Sequence, residues 1–362
     1  MQTIGILSAG KTDTAYALKD KIFDLRPELA VFVDEAPVPE DASESIYQIF
    51  TYEAVRRLVA RGVSAVAFAE PRVHVFIRQI AAEIQIPLVD PCDADGRPLD
   101  REAYARAIVS CDGKPRPKPF RIGIAGGLGP MASVDMYHKL TVLTKASCDQ
   151  EHFKLIIDQN PQTPDRTKYL TEGGENPTLA LYATAKRLEA AGCDAIAYAC
   201  NTAHAFLPEI FKRIPVPLVD MQKTVLEEIA GHFGKKTPAG LLATTGTVRT
   251  RLYTDKALEL GMRLFIPDDA NQELVMRSIY GPEGVKAGFT EGQCRKDLSQ
   301  AALYLGKTYG VKVLILGCTE LPLIFKEGPL HIDGHDFYCV DPTAAVARAL
   351  IALAKKARAE GR

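Results

Sequence analysis

Two short strings place a thiol where it can do chemistry: Cys200-Asn201-Thr202 and Cys318-Thr319-Glu320. Each follows an apolar run of strand character and precedes small polar residues suited to a helix start. The free N–H groups and partial positive charge of such a start lower a cysteine pKa from its usual value of roughly 8.5 and favour the thiolate. The same N–H groups hold carboxylates. A thiol and a thiolate on opposite faces of one carbon can remove a proton from one side and deliver one to the other, provided their pKa values lie near working pH. That chemistry inverts a stereocentre. Its planar, carboxylate-stabilised intermediate needs oriented N–H and hydroxyl donors. Asn201, Thr202 and Thr319 stand beside the thiols, and the turns ATTGT (243–247, with Thr245, Gly246 and Thr247) and GGLGP (126–130) are donor-rich. Glu320 either caps its helix or tunes Cys318.

The elements that must position these groups recur along the chain. Short apolar runs (TIGILS, AVFVDE, SAVAFAE, IPLVD) alternate with helical patterns, which predicts parallel sheets covered by helices. Residues 56–90 align without a gap on residues 186–220, sharing Leu58/Leu188, Gly62/Gly192, His74/His204 and the string PLVD. A third copy appears at YGVKVLILGCTELPLI, where Gly310 precedes Cys318 by the interval that separates Gly192 from Cys200. Each copy reads as helix, glycine cap, buried strand, and a polar residue at the strand's carboxyl edge, where open α/β sheets bind ligands. That edge residue is Glu70, Cys200 or Cys318. Cysteines at matched positions of two copies related by a pseudo-twofold axis would face each other across a cleft. The first copy has Glu70-Pro71-Arg72 instead, and proline removes one N–H from the anion-holding turn. The expected organisation is an N-terminal α/β domain without a cysteine base at 1–112, a proline-rich linker at 113–120, a first catalytic α/β domain at 121–222 plus 341–362, and a second at 223–340.

Composition narrows the function classes. A net charge of −1 offers no field for nucleic acid or membrane surfaces, and no apolar run reaches the roughly 20 residues of a membrane span. The start MQTIGILSAGKTD reads as a strand rather than a leader, so the cytoplasm is the expected compartment. The eight cysteines form no CxxC pairs, so neither a disulfide framework nor a zinc pattern is expected, and most read as small buried hydrophobes. GGLGP lacks the GxGxxG spacing of a dinucleotide site, and no lysine sits in a pyridoxal context. His204 falls on the same face as Cys200; its counterpart His74 has no cysteine beside it in the sequence, which favours a structural role.

The strings IGIAGGLGPMAS, DQEH, NPQTPDRTKYL, CNTAHAF, GLLATTGT, IYGPEGVKAG, GCTELPLI and VDPTAAVA resemble the aspartate/glutamate racemase superfamily, more closely its aspartate racemase branch. They cover residues 121 to about 350. The resemblance implies two pseudo-symmetric α/β domains around a cleft, catalytic bases at Cys200 and Cys318, no cofactor and no metal. It also implies that the helix after Asp341 packs back on the domain begun at Ile122. The arginine of PDRT and the lysine of VKAG, here Arg166 and Lys286, would bind the substrate's side-chain carboxylate. Read without the resemblance, Arg166 is a surface ion pair and Lys286 a solvated charge. Glu320 stands where the glutamate-specific branch carries histidine, which favours aspartate. The expected protein is a pyridoxal-independent amino-acid racemase, a homodimer taking a small acidic amino acid. The alternatives are a dicarboxylate isomerase or broad-specificity racemase on the same scaffold, or a non-catalytic amino-acid-binding module.

Overall fold

The computed structural model describes residues 2–116 and 118–360. Pro117, within the expected linker, and Met1, Gly361 and Arg362 lie outside the described residues. The chain divides into two compact units, one ending at Pro119 and one spanning Phe120–Glu360.

The first unit holds one parallel sheet built from β1 (Thr3–Ser8), β2 (Ala30–Glu35), β3 (Ala65–Phe68) and β4 (Leu88–Val89), ordered β2-β1-β3-β4. The second unit holds two sheets. In the first of these, β5 (Arg121–Gly126) lies between β6 (Lys154–Gln159) and β7 (Ala195–Tyr198). The other comprises β8 (Ala239–Leu242), β9 (Leu264–Phe265), β10 (Val313–Leu316), β11 (Gly328–Ile332) and β12 (His335–Val340), ordered β11-β12-β10-β8-β9. Its β11–β12 pair is antiparallel, unlike every other pairing of named strands among the described residues. Asp333 and Gly334 both adopt positive φ between these strands, the backbone of a tight hairpin turn. The fold is therefore the expected α/β class of racemase type, with one hairpin added to an otherwise parallel sheet.

The three copies share one device. Gly5, Gly123 and Gly240 occupy the central strands β1, β5 and β8 at matching register, opposite Val66, Ile196 and Leu314. A Cβ on each would come within 2.9–3.0 Å of Leu58, Cys193 or Leu305. The absent side chain lets a later helix or turn close onto the sheet, and buried Cys193 packs there.

The strand that carries each edge residue is also held identically. Ala69, Ala199 and Gly317 donate their N–H to the carbonyls of Leu7, Ala125 and Leu242 at 2.8, 3.0 and 2.7 Å. Glu70, Cys200 and Cys318 thus stand one residue beyond the last rung of their sheets. The terminal helix Pro342–Ala359 packs with the helix Pro130–Leu143, and Val346, Ala347 and Leu350 share a core with Ile122 and Ile124. Asp341 starts that helix by accepting from Thr343 N at 2.8 Å.

Candidate active site

Cys200 and Cys318 line one narrow cavity in the second unit, with room for about 10 Å³. Arg166, Lys286, Asn201, Thr202, Thr319 and Glu320 line it too. Leu128, Thr167, Thr244 and Tyr280 complete the wall, and the sequence reading did not single them out as site residues.

The segments after the thiols differ from the expectation. Cys200 leads into a 3-10 turn of four residues, Thr202–Ala205, and Cys318 into one of three, Leu321–Leu323. Neither offers the aligned dipoles of a long helix. The cause on the first side is His204, whose Nδ1 bonds the Cys200 carbonyl at 2.9 Å while its backbone N–H bonds the Asn201 carbonyl. On the second side Pro322 lacks an N–H to give. His204 Nε2 accepts from Met221 N at 3.3 Å, which makes Nδ1 the protonated nitrogen. Buried away from solvent, this imidazole is pushed below its usual pKa and stays neutral at pH 7, a structural role.

Charge therefore comes from side chains. Arg166 is buried at 7% exposure, which removes the surface ion-pair reading. Asp165 caps its helix, Arg166–Glu172, and the guanidinium turns inward. There Nη1 donates to the carbonyls of Thr163 and Pro164 at 3.2 and 3.0 Å, and Nη2 to that of Leu128 in the GGLGP turn. Burial alone would lower its pKa, but the neighbouring Cys200 and Asp165 charges outweigh that and raise it. Cys200 is thus the thiol beside a fixed cation.

Cys318 sits in the opposite field. Its Sγ donates to Glu320 Oε2 at 3.0 Å. Burial first, and the Glu320 charge second, push this thiol well above its usual range. Expected to be lowered, its pKa is instead raised, and Cys318 is held as the neutral thiol. Glu320 makes no capping hydrogen bond to its short turn and bonds the thiol directly instead. Its Oε1 pairs with Lys286 Nζ at 2.6 Å, and Lys286 also lies over the Tyr280 ring at 5.4 Å. Lys286 is therefore a paired, half-buried cation rather than a solvated one, its pKa raised by Glu320 despite burial. Gly129 makes room for this pair, since a Cβ there would fall 1.8 Å from Glu320 Oε1.

Hydroxyls stitch the two halves of this unit together. Thr202 Oγ1 lies 3.0 and 2.9 Å from those of Thr244 and Thr247, and Thr319 Oγ1 donates to the Ala199 carbonyl at 3.2 Å. Of the expected ATTGT donors, Thr245, Gly246 and Thr247 stand behind the wall. Thr247 buttresses Thr202, Thr245 Oγ1 accepts from Gln272, and Gly246 packs on Thr167. Thr244 faces the cavity in their place.

Among the described residues, two buried donors of the lining side chains have no protein partner: Arg166 Nε and Asn201 Nδ2. Asn201 is held by Tyr253, whose hydroxyl donates to Oδ1 at 2.7 Å, and this turns the amide nitrogen away from that bond. An unpaired buried donor costs about 1–3 kcal/mol.

The fold and site define a class: a two-sheet α/β unit with a thiol from each half at one cation-bearing cavity. The Asp/Glu/Hydantoin racemase family model matches residues 125–350, and the chain belongs to that family. Residues 1–124 lie outside the match. An aspartate racemase structure from Picrophilus torridus is similar at TM-score 0.54 and 30% identity, covering 66% of this chain and 98% of that one. The broad specificity amino-acid racemase RacX of Bacillus subtilis is 26% identical over 64% of this chain and 96% of its own length. A glutamate racemase of Corynebacterium glutamicum is 32% identical over 37% of this chain, and the match spans about half of that relative, 46%.

Proposed function

We propose that the protein racemises an acidic amino acid, aspartate foremost, by two-base proton transfer needing neither pyridoxal phosphate nor metal. The observation that carries this reading is that Cys200 and Cys318 line one cavity with the Arg166 cation, while Arg166 Nε and Asn201 Nδ2 have no partner among the described residues. Cys200, next to the guanidinium, takes the Cα proton of one enantiomer as thiolate. Cys318, held as a thiol by Glu320, delivers its proton to the other face. For the opposite enantiomer the roles exchange. The unpaired donors and the Thr202, Thr244 and Thr319 hydroxyls hold carboxylate charge as it builds in the planar intermediate. Arg166 and Lys286 are the cations that meet a second carboxylate.

A second reading, broad specificity, draws support from the Lys286–Glu320 pair, because one of the two cations is already neutralised. The deciding experiment follows Cα–H exchange and inversion of D- and L-aspartate, glutamate and alanine in deuterated water by NMR. Inversion of aspartate with a solvent deuteron incorporated, at much higher kcat/KM than alanine, is expected. Similar kcat/KM for aspartate and alanine would move the reading to broad specificity. Absence of exchange with any of them would remove the racemase reading.

A further inference from the structure

We propose that the N-terminal unit carries a binding site for a thiophilic divalent metal, zinc(II) in character, formed by His74, Asp90 and Cys92. One ligand atom from each (a ring nitrogen, a carboxylate oxygen and Sγ) lies within 4.8 Å of the others. Tetrahedral zinc bonds of about 2.0–2.3 Å place ligand atoms roughly 3.3–3.8 Å apart, so closure asks for about 1 Å of side-chain movement. A nitrogen, an oxygen and a sulfur donor suit zinc better than magnesium or calcium.

Comparison with the matched copy shows that the group is not simply inherited packing. His204, at the register of His74, is 3% exposed and uses both ring nitrogens, on the Cys200 carbonyl and the Met221 N–H. His74 has a one-third exposed side chain and turns Nδ1 to Asp90 Oδ2 at 2.8 Å instead. Its Nε2 has no protein hydrogen bond among the described residues and faces Gly96, whose missing Cβ leaves space 3.3 Å away. Where the other copy has Gln222, bonded to Asn201, this copy has Cys92. Asp90 Oδ1 accepts from Cys92 N at 3.0 Å, which fixes carboxylate and thiol in one turn. A carboxylate on one imidazole nitrogen orients the other toward a metal, or itself joins the ligand set. A metal ion binding here would displace the Cys92 thiol proton to solvent. Cys92 is buried while His74 and Asp90 are partly open.

The test uses the full chain, reduced and stripped with chelator, then titrated with cobalt(II) as a spectroscopic stand-in for zinc. One equivalent should produce thiolate-to-cobalt charge-transfer absorption that zinc abolishes by displacement. C92S should lose that absorption, and D90N should weaken binding about 10–100-fold. The band should persist in the C200A/C318A double variant, which separates this site from the paired thiols of the second unit. Zinc should raise the melting temperature of the wild type but not of C92S or H74A, measured on variants whose circular dichroism matches the parent. A charge-transfer band unaffected by C92S and H74A, a band lost in C200A/C318A, or no stoichiometric binding would each overturn the proposal.

Discussion

Glu320→Gln isolates the charge that sets the two thiols apart. The substitution keeps the side-chain shape and the space against Gly129, but removes the anion that accepts from Cys318 at 3.0 Å and from Lys286 at 2.6 Å. Glu320 raises the Cys318 pKa in two ways, by repelling a thiolate and by bonding the neutral S–H. The Gln oxygen can still accept from the S–H, but the negative charge that disfavours the thiolate is gone, so the Cys318 pKa should fall. The freed Lys286 cation acts in the same direction, since it already lowers this pKa. Burial remains and keeps the thiol above that of a free cysteine. The assay is the pH dependence of iodoacetamide alkylation at the Cys318 peptide, read by mass spectrometry in a C200A background. The exposed Cys148 serves as an internal reference. The alkaline limb of the racemisation profile should move to lower pH by a comparable amount. An alkylation midpoint that stays in place, or moves up, would refute the claim that Glu320 keeps Cys318 protonated.

Cys200→Ala and Cys318→Ala should each abolish racemisation yet leave Cα–H exchange of one enantiomer, a different one in each variant; racemisation near the parent rate in either would remove that residue from the pair. Arg166→Ala should lower kcat/KM for aspartate by roughly 10- to 100-fold, from the loss of one charge-assisted bond, and lower that for alanine less; equal losses on both would place Arg166 at the α-carboxylate or in the wall alone. His204, whose folded pKa lies below its unfolded value, contributes stability above about pH 6.5 that is lost as pH falls through the folded pKa, so the urea midpoint should drop between pH 7 and 5, and less steeply in His204→Gln. Glu70→Ala should reduce the stability of the first unit and leave racemisation within about threefold of the parent, since a role in the chemistry would cost a tenfold or greater loss in a folded protein.

The sheets, their order of appearance and the paired thiols were legible because duplication repeats the same physical demand. A buried strand needs Gly5, Gly123 or Gly240 opposite a packed side chain, and a residue just past the sheet edge inherits the ligand position. Single-sequence reasoning failed where one side chain outside that pattern decides. His204 intercepts the Cys200 carbonyl and Pro322 withholds an N–H, so two expected helices are 3-10 turns. Asp333-Gly334 is a hairpin signal in plain view, and its flanking strands alternate where the neighbouring parallel strands are buried throughout, but the sequence reading did not use it. Tyr280 and Thr244 reach the cavity from separate segments, and no spacing rule brings them together. The sign of the Cys318 shift depends on Glu320 two residues later turning back onto the sulfur, a rotamer choice invisible in the string CTE.

The same comparison explains why the first unit keeps the fold while lacking a thiol at the sheet edge. Glu70 does not simply repel a carboxylate; it occupies the place of one. Its Oε1 accepts from Ser8 Oγ, Ala9 N and Lys11 N at 3.1 Å each, and Oε2 from Ala9 N at 3.1 Å. These donors belong to the turn after β1, the counterpart of GGLGP after β5. The copy therefore satisfies its own anion cradle internally, at 8% exposure, where the second unit leaves Asn201 and Arg166 donors unpaired. Arg72, which would be the natural anchor for a ligand, is committed to Glu44 at 2.7 Å and stacks 4.2 Å over Tyr47. A carboxylate ligand would have to displace a tethered one whose effective concentration is fixed by the fold, and it would do so without a cation to meet it. Unpaired buried donors persist where a ligand satisfies them, and disappear where a side chain can do so permanently. On that argument the difference between Glu70 and Cys200 converts a binding site into a structural turn.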